Sequence, residues 1–146
     1  MNLSPHFTLE ELTFSQTAVR NDIPNMPVGE HIANLTALCI NVLEPLRELL
    51  DCVVIVNSGF RSPGVNRLVR GSVTSQHLKG EAADLRFQGV TVQEAFDKLK
   101  ASEIVFDQAI EEGTWLHVSF TTKRPNRRET LRAKFNSDGK ASYTEV

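Results

Sequence analysis

The chain has 146 residues, 40% hydrophobic and 23% charged, which fits one globular domain of ordinary size that needs no disulfide to hold its core. A formal net charge of −2 argues against a nucleic-acid binder, which would carry a basic stripe to neutralise phosphates. No stretch approaches the roughly 20 apolar residues of a membrane span, and Met1-Asn2-Leu3-Ser4-Pro5-His6 lacks a basic region followed by an apolar one, so synthesis in the cytoplasm without a signal peptide is expected.

In chain order, Thr8-Leu9-Glu10-Glu11 reads as a capping box opening a short helix that ends near Thr13–Ser15. Residues 16–29 are rich in Asn, Pro and Gly and read as a loop. Ile32, Leu35, Leu38, Cys39, Val42, Leu43, Leu46, Leu49 and Leu50 then recur at three- and four-residue steps, an apolar helical stripe that packs on a core. Pro45 should kink that helix or split off its last turn. His31, near its start, reads as a surface or capping residue. Cys39 and Cys52 read as buried free thiols rather than as part of a disulfide framework.

Val53–Val56 is a β-branched run that predicts a buried strand. The loop Ser58–Gly64 follows, then a short helix over Val65–Val69 closed by Gly71. Residues 72–81 read as irregular and Ala82–Phe87 as a strand. Thr91-Val92-Gln93-Glu94 caps a second amphipathic helix to about Ala101. Ile104–Ile110 and Trp115–Phe120 read as strands of a hairpin, and Asp138-Gly139 as the turn of another near the end. The order lacks regular βαβ alternation, which predicts a single α+β domain with an antiparallel sheet and helices packed on one side. Its core should span about residues 3–132, with 133–146 as a C-terminal hairpin or tail. Lys123, Arg124, Arg127 and Arg128 form a basic run, either a solvated loop or a contact for an anionic polymer.

The stretch from Ser75 to Asp84 carries the chemistry. It places His77 and Asp84 seven residues apart with Gly80, Ala82 and Ala83 between them, where small side chains leave room for a sharp turn and for approaching groups. Asp84 sits in a predicted strand, where a carboxylate is costly unless paired or metal-bound. In Trp115–Phe120, strand alternation puts His117 and Ser119 on the face opposite Leu116 and Val118. Two imidazoles and one carboxylate would suit a catalytic zinc, with one coordination position left open and a net single positive charge. Taken alone, a strand histidine is more often packed and hydrogen-bonded in a core than metal-bound.

The spacing Ser75-x-His77-x-x-Gly80-x-Ala82-x-Asp84, followed by Trp115-x-His117 and preceded by Ser58-Gly59-Phe60-Arg61-Ser62-Pro63 with Asn66, resembles the D-alanyl-D-alanine carboxypeptidase-type zinc peptidases. These group with lysostaphin-type endopeptidases and the hedgehog signalling domain. The opening segment and Leu43-Glu44-Pro45-Leu46-Arg47 look similar to small phage- or prophage-encoded members, so the resemblance spans residues 3 to about 132. It implies Zn²⁺ as cofactor, with His77, Asp84 and His117 as ligands. It implies Arg61 at the substrate carbonyl or carboxylate, where a loop-fixing salt bridge is the alternative. It also implies a general base just before the last histidine, Glu112 in preference to Glu111. Ser75 and Gln76 would position the loop or substrate, and Trp115 would wall the cleft or pack in the core. Ser119 stands where some branches carry an aspartate, so no role carries over to it.

The implied activity is hydrolysis of amide bonds in peptidoglycan stems or cross-links, endolysin-like or tail-associated. The alternatives are a D-Ala-D-Ala dipeptidase or carboxypeptidase, and a zinc-binding attachment module of a phage virion. Expected partners are peptidoglycan peptides and phage tail or virion proteins, with no nucleic acid and no membrane. The wall would be reached after release or as part of a virion.

Overall fold

The computed structural model describes all residues, 1–146. The N-terminal strands β1 (Asn2–Ser4) and β2 (Phe7–Thr8) form a two-stranded sheet, and β2 runs into helix α1 (Leu9–Thr13). The Thr8–Glu11 capping box forms as the spacing predicts, with Glu11 N–H donating to Thr8 Oγ1 at 3.2 Å and Thr8 N–H to Glu11 Oε1 at 2.8 Å. The segment expected as loop over 16–29 holds one further helix, α2 (Gln16–Arg20), whose cap Ser15 accepts from Ala18 N–H at 3.1 Å.

The long apolar stripe is three pieces: α3 (Gly29–Leu38), a π-helical turn over Cys39–Leu43, and α4 (Glu44–Leu50). The wide turn sits just ahead of Pro45, which has no N–H to offer Asn41 and whose ring would crowd that carbonyl in a regular helix. His31 has the capping role, its Nδ1 accepting from Val28 N–H at 3.0 Å, and its ring packs on Phe60. Both cysteines are free; Cys39 is buried and burial pushes its thiol up to about 12, while Cys52 is only partly covered.

The remaining elements are β3 (Val54–Ser58), α5 (Pro63–Leu68), a 3-10 turn over Gln76–Lys79, β4 (Ala82–Phe87), α6 (Val92–Ala101), β5 (Gln108–Glu111), β6 (Leu116–Ser119), β7 (Glu129–Phe135) and β8 (Ala141–Glu145). Three expectations are corrected. Helix α5 ends through the left-handed Arg70 (φ 57°), not through Gly71, whose place is fixed by packing against Asn66. The strand expected from Ile104 starts only at Gln108, because the Ile104 and Phe106 carbonyls are taken by Arg128. The third concerns only where the C-terminal hairpin begins: of the two forms expected for 133–146 the hairpin is present, but it starts at Glu129 and joins the sheet through β7.

Six strands order as β3-β4-β6-β5-β7-β8, all antiparallel except the β5–β7 pair. The domain is α+β. Strand alternation gives the sheet two faces. Ala83, Leu85, Ala109, Leu116 and Val118 point to one face and are buried in one core with Leu35, Leu38, Val42 and Leu46 of the α3–α4 run and with Phe96 and Leu99 of α6. The helices therefore cover that side. On the other face, register aligns Asp84 with His117, His117 with Ile110, and Ile110 with Leu131, one row across four strands. No helix is long and apolar enough to cross a membrane.

Candidate metal centre

The row just described places an acid and an imidazole on the uncovered face, and the 3-10 turn brings a second imidazole over them. His77 is held there from two sides. Its N–H donates to Ser75 Oγ at 3.2 Å, and its Nδ1 lies 2.7 Å from the Gly59 carbonyl oxygen. A carbonyl only accepts, so Nδ1 carries the ring proton and Nε2 keeps its lone pair. That Nε2 sits 3.3 Å from Asp84 Oδ1, and His117 Nδ1 lies 3.1 Å from the same oxygen.

One ligand atom each from His77, Asp84 and His117 falls within 4.8 Å of the others, and all three residues are largely buried. A neutral imidazole lone pair aimed at a carboxylate oxygen repels it unless a cation lies between them. The donor set thus fits a divalent ion with borderline preferences, and two imidazoles with one carboxylate leave a coordination position for substrate chemistry. Electrostatics agree. Burial lowers the pKa of His77 and keeps it neutral, against the opposing pull of Asp84. Asp84 is held far below the usual carboxylate range despite its burial, so it stays an ionised carboxylate as a metal ligand must.

Two glycines make this approach possible. A β-carbon on Gly59 would collide with the Leu12 carbonyl oxygen, and that close packing sets the position of the carbonyl that orients His77. Gly80 ends the 3-10 turn at φ 74°, a left-handed conformation, with the His31 backbone against it.

Arg61 lies beside the site. Its N–H donates to the His77 carbonyl at 3.0 Å, and its guanidinium donates to Asp84 Oδ2 and Ser58 Oγ, each at 3.4 Å, and to Asn66 Oδ1 at 3.5 Å. A register shift between Val56 and Ser58 sets Ser58 opposite Asp84. Asn25 fastens the loop, donating to the carbonyls of Thr13 and Phe60 and accepting from Ser62 N–H at 2.7 Å. Arg61 therefore makes a loop-fixing contact with Asp84 and also lines the open cleft above it.

That cleft encloses about 570 Å³ and is lined by Ser75, Gln76, Trp115 and Glu112 as well as by the three candidate ligands. Glu112 and Glu111 part company here. Glu111 turns to the helix-covered side, where it accepts from Arg132 Nε at 2.9 Å and from Gly113 N–H at 2.8 Å. Glu112 faces the cleft and accepts from the Trp115 indole N–H at 2.9 Å. Burial raises the Glu112 pKa, with Asp84 adding to the rise and His117 opposing it. Trp115 is thus a cleft wall that also holds Glu112. Ser119 is fully buried and accepts from Gln108 N–H at 3.0 Å, a contact that ties β6 to β5.

Sequence reasoning missed the residues that the C-terminal hairpin adds. Leu131 and Tyr143 line the cleft; Tyr143 pairs with Ala133, two residues beyond Leu131, and so shares the face of His117. The period-two spacing of Leu131, Ala133 and Phe135 was the available signal, but nothing in it says that β7 joins β5 in parallel. It also missed the tie between the basic run and Asp107: Arg124 and Arg127 both bond its carboxylate and both line the cleft.

Residues 5–119 match the family model described as Peptidase M15. No curated protein matches the chain.

Proposed function

The chain belongs to the peptidase M15 family, whose members are zinc-dependent peptidases, and on that premise we propose that it hydrolyses peptide bonds in the stems or cross-links of bacterial peptidoglycan. The observation that carries the reading is the convergence of His77, Asp84 and His117 at the floor of a cleft that Glu112 and Arg61 also line. Those three residues would hold the ion, with the His77 tautomer set by the Gly59 carbonyl. A zinc ion held there supplies Lewis-acid activation of water and of the substrate carbonyl.

The protein's own groups do the rest. Glu112 takes a proton from the attacking water onto its carboxylate and returns it to the leaving amine nitrogen. Its raised pKa brings it nearer to a poise suited to both transfers, and the Trp115 indole holds it in place. Arg61 keeps its charge and sets positive potential beside the carbonyl oxygen as it becomes an oxyanion. Ser75 and Gln76 offer polar groups along the cleft wall.

A cleft rimmed by half-exposed side chains such as Arg124, Arg127 and Tyr143 favours a polymeric substrate over the closed pocket that a free-dipeptide hydrolase would need. Phage or prophage origin, with action on the wall as an endolysin or as a virion component, accords with the resemblance of the opening segment. The test is mass spectrometry of fragments released from purified peptidoglycan with and without a chelator. New amine and carboxyl ends that appear only without chelator are expected. Zinc bound in stoichiometric amount, with no fragments from any wall preparation, would replace catalysis by an attachment role.

A further inference from the structure

The basic run at 123–128 is neither a free solvated loop nor a diffuse patch. Lys123 reaches out to Glu30, and Arg128 is spent on the carbonyls of Leu99, Ser102 and Ile104. Arg124 and Arg127 fold inward instead. Asp107, fully buried just before β5, accepts five hydrogen bonds from them at 2.7–3.1 Å, one of them from the Arg127 backbone N–H. Each arginine side chain as a whole still keeps nearly half its surface, 45% and 47%, and both line the cleft.

The topology brings a third cation to the same end. The 3-10 turn carrying Lys79 feeds β4 at Ala82, which pairs with Ser119, and Ser119 accepts from Asp107 N–H through its carbonyl. Lys79 lines the cleft and makes no ion pair within the chain. The carboxylates near this end are Asp107, Glu129, which lies 3.8 Å from Arg127, and the buried Glu81; none of the three lines the cleft. Asp107 and Glu129 hold the guanidiniums from outside the cleft lining, and Glu81 is engaged by Gln76 Nε2 at 3.4 Å, so none of the three carboxylates stands in the cleft to neutralise the cations. A buried carboxylate that pre-orients two guanidiniums lowers the ordering cost of binding an anion in front of them.

We propose that Lys79, Arg124 and Arg127 form a carboxylate-binding subsite at the Gln108 end of the cleft, so that the peptide cut here bears a free carboxylate on that side of the scissile bond. This rests on the peptidase reading and names its substrate as an acidic peptide. Arg124 and Arg127 lie beyond residue 119, where the family match ends.

The experiment uses the zinc-loaded full chain and a synthetic wall-stem peptide in three forms: all carboxylates free, side carboxylate amidated, and C-terminal carboxylate amidated. Binding is followed by calorimetry and turnover by product analysis. Amidation of one of the two carboxylates should weaken binding and kcat/KM about 10- to 100-fold, the range for a charge-assisted hydrogen bond, and which one it is identifies the group. That ratio should fall towards one in Lys79→Gln and in Arg124→Gln, the latter leaving Arg127 to keep Asp107 paired. Equal binding of all three forms by the wild type overturns the subsite, and so does a preference that both variants retain. Cleavage that proceeds without any charge preference sinks the subsite alone, whereas failure to bind or cut any form sinks the wall-peptidase reading with it.

Discussion

Asp107 gives the sharpest stability prediction, because the two ways of breaking its cluster leave different orphans. Its carboxylate is fully buried while its two arginines are half accessible. Asp107→Asn removes the charge that five donors share, but water can reach both guanidiniums, so the cost should be about 2 kcal/mol, within the range for charged hydrogen bonds. Replacing both Arg124 and Arg127 by alanine leaves the carboxylate with one of its five donors, the backbone N–H of residue 127, and with no counter-charge, a loss of about 3–5 kcal/mol. For a domain of this size those figures correspond to a Tm lowered by roughly 4–8 °C and 6–20 °C. Burial alone would raise the Asp107 carboxyl, yet the hydrogen bonds from Arg124 and Arg127 hold it well below the usual carboxylate range. A carboxyl lowered on folding stabilises the native state above its unfolded value, about 3.9, and that contribution drains away as pH falls through the folded value. The stability gap between wild type and Asp107→Asn should therefore be full at pH 7 and shrink steadily below about pH 4. Urea unfolding of the three proteins at pH 7, 4 and 3 measures it. A double-arginine variant more stable than Asp107→Asn at pH 7, or a gap that widens on acidification, would refute the reasoning.

Other outcomes concern the cleft directly. Glu112→Gln should retain metal and lose about 10²- to 10⁴-fold in kcat, the usual yield of a general base, while Glu111→Gln, on the far face of the sheet, should change stability more than turnover. Parallel zinc analysis and single-turnover hydrolysis separate the two. Gly59→Ala should push the loop off the Leu12 carbonyl and displace the acceptor of His77 Nδ1, weakening zinc binding about 10- to 100-fold, as loss of an orienting partner does. Competition against a fluorescent chelator reads this, and unchanged affinity would mean that the carbonyl does not orient His77.

Much of the site was legible because its parts are local. The spacing from Ser75 to Asp84 encodes a cap, a turn with a left-handed glycine and a strand, and alternation in Leu116–Ser119 decides which way His117 points. The same alternation separates Glu112 from Glu111, provided no bulge intervenes, and none does in β5. What escaped was long-range. Arg124 and Arg127 look like solvated cations until Asp107, 17 and 20 residues earlier, is seen beneath them. Leu131 and Tyr143 reach the cleft only because β7 lies parallel to β5, a pairing that no hairpin signal announces. Helix α2 was hidden because five residues give no periodicity, and its Ser15 cap was overshadowed by the Asn and Pro that follow. The π-helical turn before Pro45 escaped as well: proline signals a disturbance without giving its form, and Cys39, Val42 and Leu43 of that turn are buried in the core.

On the function proposed above, His77, Asp84 and His117 together hold one zinc ion that the hydrolysis requires. Metal analysis of the purified chain beside His77→Ala, Asp84→Asn and His117→Ala, each checked for folding by circular dichroism, tests it most directly. One zinc per wild-type chain is expected, with folded variants that have lost both the ion and the release of wall peptides. A folded His77→Ala or His117→Ala protein that keeps full zinc, or that still cleaves wall peptides at the wild-type rate, would contradict it.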